Sequence, residues 1–221
     1  MNKELRQPNE VILKSGKTLQ EVLELHKKWL DGKEGGEKAD LSGEDLSYVN
    51  LRGVNLRGVN LRYSDLRGTN LSHTNLSYAD LSGVDLTYAN LYDANLSDAN
   101  LYGVNLTEAI LTYANLYDAN LSDVDLTYAN LYDANLSDTK FYLTNLYKAE
   151  GDFVSVGNIG SRNDTTHYFY KDDRVICGCF SGSMEQFEER VKTTYSENDK
   201  EYKEYMVTIR TLKELAELQD E

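Results

Sequence analysis

Three histidines and two cysteines are the only imidazole and thiol groups in the 221 residues, and their spacing limits the chemistry open to them. Cys177 and Cys179 stand two residues apart, so on a strand both thiols share one side, with His167 the one imidazole nearby. A structural zinc takes four such ligands, so the trio falls short of a metal site and burial is the expected role of the thiols. His26, His73 and His167 fall in three separate segments. No nucleophile, base and orienting acid can be assembled from them. The chain therefore reads as non-enzymatic, with no catalytic residue, metal or cofactor expected. The stretch Gly157–Asp164, containing Gly160, Ser161, Arg162 and Asn163, reads as a loop. Such a loop either cradles an anion through its backbone amides or is a plain turn.

The abundant chemistry is carboxylate. The net charge is −14, and residues 39–152 supply −10 of it, from 6 basic and 16 acidic side chains. Such a field argues against binding a nucleic-acid backbone, which requires Lys and Arg to neutralise phosphates. It suits a basic protein partner. No stretch reaches the roughly 18 apolar residues that a membrane span needs, and Met1 precedes a polar, charged segment. The expectation is a cytoplasmic chain that does not engage a membrane.

The carboxylates are positioned by a repeat. From Leu41 to Leu146 every fifth residue is Leu except Phe141, which makes 22 consecutive units. A small or β-branched residue stands two before each Leu except at Glu44, and Asn or Asp stands nearly always between them. A period of 5 matches neither helix nor ordinary strand. It is met by a solenoid with five residues per side and four sides per coil, the Leu and the small residue facing in and the other three positions facing out. Backbone pairing between coils at about 4.8 Å gives a rod about 26 Å long.

The run LSYADLSGVDLTYANLYDANLSDANL resembles the pentapeptide-repeat family. That resemblance covers about half the chain and implies a right-handed four-sided β-helix, within a fold class that is mainly β.

Sorted by side, Asp98, Asp118 and Asp138 form one acidic row, and Asp85 and Asp125 belong to a second. Together with Asp93, Asp133, Tyr88 and Tyr128 they are the candidate protein-binding surface. Two readings of the rows stand: solvated turn positions, or an imitation of the DNA backbone, as the resemblance implies for members that inhibit type II topoisomerases. Arg52, Arg57, Arg62 and Arg67 follow Leu in four successive repeats and form a basic collar around one coil. With Arg162 they are candidate anion contacts. The collar and the absence of interrupting loops depart from the topoisomerase-directed members. The expected target is then a basic or nucleic-acid-binding host protein, engaged and inhibited.

The ends differ from the rod. Residues 1–38 hold a predicted helix with a capping box from Thr18 to Glu21 and a stop at Gly32, its stripe Leu19, Val22, Leu23, His26, Trp29 and Leu30 covering the first coil. Trp29 is expected in that core. Glu44, an acid at an inward position, predicts an irregular first coil. Residues 39–150 form the rod. Residues 151–221 read as a small α+β domain of ββαα type, with a hairpin turning at Lys171–Arg174 and two helices, the first capped by Ser183. The arrangement of head, rod and GNIGSRND…CGCF tail resembles proteins carried by bacterial viruses. Two alternatives to partner inhibition remain: a structural, virion-associated spacer, and sequestration of a small anionic nucleotide.

Overall fold

The computed structural model describes residues 4–141, 144–159, 164–171, 173–177 and 180–218. They form two units, one running to Lys140 and including Thr144–Gly151, the other comprising Phe141–Leu143 and the chain from Asp152.

In the first unit, parallel bridges join residues 20 apart from Asp40↔Asn60 to Asp125↔Asn145. Twenty residues therefore make one coil and five make one side. Each side is too short to be a regular strand, and one repeat shows how its backbone is nonetheless satisfied. Leu96 N donates to Asn115 O (2.7 Å), Asp98 N to Tyr117 O (2.9 Å) and Asn100 N to Ala79 O (2.9 Å), all between coils. Ala99 N closes a turn onto Leu96 O (3.1 Å). Ser97 N, the fifth amide, donates to the Asn95 side-chain oxygen at 3.1 Å. All five donors of the unit are paired, as a half-buried backbone requires. Every Leu from Leu41 to Leu126 is fully buried, each worth roughly 1.5–3 kcal/mol relative to exposure.

That accounting corrects one expectation. The Asn or Asp before each Leu does not simply face out; its Oδ1 turns back to accept the amide two residues on. Its Nδ2, where present, can donate to the previous coil, as Asn115 does to Asn95 (3.3 Å) and Asn135 to Asn115 (3.0 Å). The turn itself is of type II, with a positive φ at its third residue, as at Asp98 (+57°), Asp118 (+52°) and Tyr88 (+62°).

The segment before the rod is tied to the first coil. Helix α1 (Leu19–Leu30) begins at Thr18 with the expected capping box and ends at Asp31, before Gly32 with φ +64°. Arg6 supplies the backbone partners that Tyr48 and Asn50 would otherwise lack: Arg6 N donates to Tyr48 O and receives the Asn50 amide at its own carbonyl, both 2.8 Å. Ala39 N donates to His26 Nδ1 (3.1 Å), and His26 is fully buried. Burial, with Lys38 nearby, lowers its pKa. Trp29 departs from expectation at 42% exposed. It stacks on His26 at 5.5 Å beneath the Lys38 ammonium, while the backbone of Gly36 lies so close that a Cβ there would sit 2.3 Å from Trp29 N. The stripe is buried at Leu19 and His26 and half-buried at Val22, Leu23 and Leu30, and Trp29 is held at its edge. The first coil is also regular at Glu44, whose carbonyl accepts Asp65 N (3.0 Å). Only its side chain departs, accepting the Lys14 amide at 3.1 and 3.2 Å.

The second unit holds more strands than the sequence suggests. β1 (Phe153–Ile159), β2 (Asp164–Phe169), β3 (Arg174–Cys177) and β4 (Phe180–Gly182) form an antiparallel meander in chain order. The expected hairpin is β2–β3. Gly157 and Asn158 belong to β1, at a bulge between Val156 and Ile159, rather than to a long loop. α2 (Met184–Thr194), capped by Ser183, and α3 (Lys200–Glu217) follow. Val175, Cys177, Met184, Phe187, Val191, Ile209 and Leu212 make the core.

Two outcomes follow from this architecture. Asp118 is exposed yet held at φ +52°, so Asp118→Val will lower stability by about 1–2 kcal/mol relative to Asp118→Asn, because β-branched residues resist that conformation. Equal thermal midpoints for the two variants would contradict the turn assignment. His26 prefers its neutral form when folded, so the unfolded chain takes up more protons as pH falls below about 6.5, and stability drops from there downward. Thermal melts between pH 7.5 and 5 will show that loss, and His26→Gln will flatten the part of the profile that His26 causes.

Candidate protein-binding surface

Asp98, Asp118 and Asp138 stand at equivalent turn positions of successive coils, the third residue of a type II turn, where Asp is tolerated at positive φ and its side chain is free of the ladder. None of the three has a side-chain partner among the described residues. Asp93 does, with His73 Nδ1 2.9 Å from its Oδ2. Asp133 occupies the matching position two coils later. Asp85 and Asp125 are placed otherwise. Asp85 Oδ1 accepts Thr87 N (3.0 Å) and Thr87 Oγ1 (2.5 Å), and Asp125 Oδ1 accepts the same pair from Thr127 and a third bond from Asn145 Nδ2 (3.0 Å). Each is half-buried. Their first task is closing turns, and each presents a carboxylate edge beyond that.

The arginine collar is partly neutralised within the rod. Arg67 pairs with Asp65 at 2.5 Å and lies 3.8 Å from Asp85, and Arg62 lies 3.6 Å from Asp80. The Arg67 guanidinium holds the Asp65 carboxyl below the usual carboxylate range. Arg57 lies over the Tyr78 ring (5.2 Å) and Arg62 over Tyr63 (5.6 Å). Arg52 is exposed. Arg162 lies outside the described residues, as do Gly160, Ser161 and Asn163. Between Arg67 and Lys140 the sequence has no Lys or Arg and ten Asp or Glu. The basic end and the acidic length of the rod are therefore separate.

Tyr88 and Tyr128 share a row with Glu108 and Lys148, one coil apart each. Tyr88 donates its hydroxyl to Glu108 Oε1 (2.9 Å), which raises the tyrosine pKa. Lys148 Nζ donates to the Tyr128 hydroxyl (3.1 Å) and lies 5.1 and 5.3 Å from the ring centres of Tyr128 and Tyr147. Beside this row the backbone rule fails at Ile110. From Asp40 to Asn145 every residue in this register except Ile110 and Lys140 is Asn or Asp and accepts the amide two residues on. Ile110 offers no oxygen, so Thr112 N loses its acceptor, and Asn130 Nδ2 loses the partner that Asn115 and Asn135 find in the coil before. Ile110 is instead 43% exposed. Two bonds of about 1 kcal/mol each are given up, and Thr112 Oγ1 turns instead to Asn130 Oδ1 (3.0 Å). Sequence reasoning passed over Ile110; the signal was an apolar side chain in a column otherwise nearly all Asn and Asp.

Other chemistry is sparse. Cys177 is buried and accepts a contact from Thr166 Oγ1 (2.9 Å). The described part of β3 ends there, and Cys179 lies outside the described residues. Among the described residues no group of three His, Cys, Asp or Glu is placed to hold a metal. The structure does bring Ser155 Oγ within 2.7 Å of His167 Nδ1, across the β1–β2 ladder. Burial lowers the His167 pKa to about 4. That makes it a weak base, and no carboxylate orients it among the described residues.

The Pentapeptide repeats family model matches 8 copies in stretches that run from residue 37 to residue 150. No curated protein sequence matches. Among solved structures, the pentapeptide repeat protein Rfr23 of the cyanobacterium Cyanothece 51142 is 35% identical over 45% of this chain and 60% of its own, with a TM-score of 0.32. The pentapeptide repeat protein alr5209 of Nostoc PCC 7120 is 31% identical over 58% of this chain and 93% of its own, with a TM-score of 0.29. QnrB1, a plasmid-mediated fluoroquinolone resistance protein, is 18% identical over 52% of this chain and 66% of its own, with a TM-score of 0.27. The family match takes in more than half of the chain, over the same residues whose amides and leucines build the four-sided coils, and the chain belongs to the pentapeptide-repeat family.

Proposed function

We propose that the chain is a non-enzymatic binding protein whose acidic coils engage and inhibit a DNA-binding protein of the host cell by taking the place of duplex DNA. The observation that carries this is the linear charge density. Ten carboxylates lie between Arg67 and Lys140, over roughly 17 Å of axis at about 4.8 Å per coil. That is about one charge per 1.7 Å, which is the spacing along the axis of B-form DNA. Discounting Asp80 and Asp85, which face Arg62 and Arg67, leaves about one per 2 Å. A protein surface built to receive phosphates meets a comparable field here, and one row of it, Asp98, Asp118 and Asp138, has no side-chain partner among the described residues.

The test is displacement of a fluorescent DNA duplex from a panel of DNA-binding proteins, measured at two salt concentrations. The chain will displace duplex from at least one of them, and more weakly as salt rises. A variant carrying Asp98→Asn, Asp118→Asn and Asp138→Asn will need about 10-fold more protein for the same displacement, at roughly 0.5 kcal/mol per exposed charge. Displacement that is indifferent to those three changes and to salt would remove the acidic rows from the account.

A further inference from the structure

The place where the rod breaks its own bonding rule is also a groove. Glu108, Ala109, Ile110, Tyr128 and Asn130 line about 340 Å³ of open space on its surface. Glu108 has committed Oε1 to the Tyr88 hydroxyl; its second oxygen has no partner among the described residues. Ala109 is buried and Ile110 is exposed, which gives the groove an aliphatic floor. Tyr128 gives it an aromatic wall, 49% exposed. Asn130 adds an amide donor that Ile110 has deprived of its acceptor.

One lysine already shows how this row takes a cation. The Lys148 ammonium is seated on Tyr128 and Tyr147 and hydrogen-bonded to the Tyr128 hydroxyl. On the other side of Tyr128, one coil earlier, Glu108 takes the place of Lys148 in the row, and no basic residue of this stretch of the rod is available to fill the space. A purely apolar occupant would bury the Glu108 carboxylate without a counter-charge, which is costly. A cationic side chain with a methylene stem satisfies floor, wall and carboxylate together.

We infer that this groove receives a lysine side chain of the protein partner, its stem against Ala109 and Ile110 and its ammonium between the Glu108 carboxylate and the Tyr128 ring. The inference rests on the reading of the rod as a binder of basic proteins and names the point at which such a partner is gripped. It also gives Ile110 a purpose that the rod's own bonding does not.

Fluorescence anisotropy at low ionic strength with a labelled Ac-(Gly-Lys)4-amide peptide tests it on the full chain, with the Nε-acetylated peptide as control. Ile110→Asn restores both lost hydrogen bonds, so it will melt at or above the temperature of the parent, and loss of binding cannot then be charged to misfolding. Ile110→Asn and Glu108→Gln are each expected to weaken the lysine peptide about 5-fold or more, and the acetylated peptide will not bind detectably. If Ile110→Asn and Glu108→Gln bind as the parent does while Asp98→Asn, Asp118→Asn and Asp138→Asn together weaken binding, the groove falls and the acidic rod stands. If the parent binds no lysine peptide at all, the rod reading falls with it. A parent dimer in sedimentation that Ile110→Asn converts to monomer would make the occupant a second copy of the chain and overturn the inference.

Discussion

The bond from the backbone amide after each Leu to the side-chain oxygen of the Asn or Asp before it is what permits a coil this tight. A five-residue side can offer three amides to neighbouring coils and one to its own turn, which leaves a fifth donor half-buried with no carbonyl in reach. An Asx side chain two residues back is the local group with the reach and geometry to accept it. Asn then does more than Asp, since its Nδ2 can also bind the coil below, as from Asn115 to Asn95. The leucine column supplies the burial energy, but leucines alone would collapse into many arrangements; the amide accounting selects this one.

The same accounting decides how much of the surface is free to carry function. Of the three positions outside the leucine and small-residue columns, one is consumed by the amide and another must tolerate positive φ. Gly, Asn and Asp do so readily, whereas Tyr at +56° to +62°, as at Tyr63, Tyr88 and Tyr128, does so at a cost. Aspartate at that position is therefore cheap for the fold, and a row such as Asp98, Asp118 and Asp138 needs no partner to explain why Asp is tolerated there. What the turn does not explain is the absence of any Lys or Arg from Arg67 to Lys140, since position-by-position tolerance of Asp says nothing against a neighbouring lysine. The field is a property of the whole stretch, and it is there that a functional reading has purchase.

The period, the buried leucines, the three principal helices and two of their caps were legible because each depends on residues close in sequence. Thr18 with Glu21, and Ser183 with its first turn, are local signals of that kind. What was misread depends on distance. The Asn column looked like surface because only the third dimension shows its oxygens turned inward. Glu44 looked like a disruption because its carboxylate is accounted for by the Lys14 amide 30 residues away. Trp29 looked like core because the helical stripe is wider than the surface it covers. In the second unit the short β4 was not read from the sequence, and Gly157, assigned to a loop, lies instead at the bulge of β1, whose pairing with β2 from Phe153 to Val156 involves residues ten or more positions away. Among the candidate site residues, the sequence placed the Asp98 row in register but could not distinguish Asp125, which accepts three bonds, from Asp118, which accepts none.

Ile110 reverses the usual relation between rule and exception. In a chain of near-identical units, a residue that obeys the repeat carries little information beyond the fold, because the fold demands it. A residue that disobeys at a cost in hydrogen bonds, and exposes apolar surface in doing so, is not demanded by anything within its own coil. Lys140, the other break in that column, adds charge where the rod gives way to the second unit. Ile110 lies well inside the rod, between two intact coils, with an acid and two tyrosines around it. The repeat thus serves as its own control: it shows what the position would be if only stability mattered, and the difference at Ile110 is the part of the surface that stability does not account for.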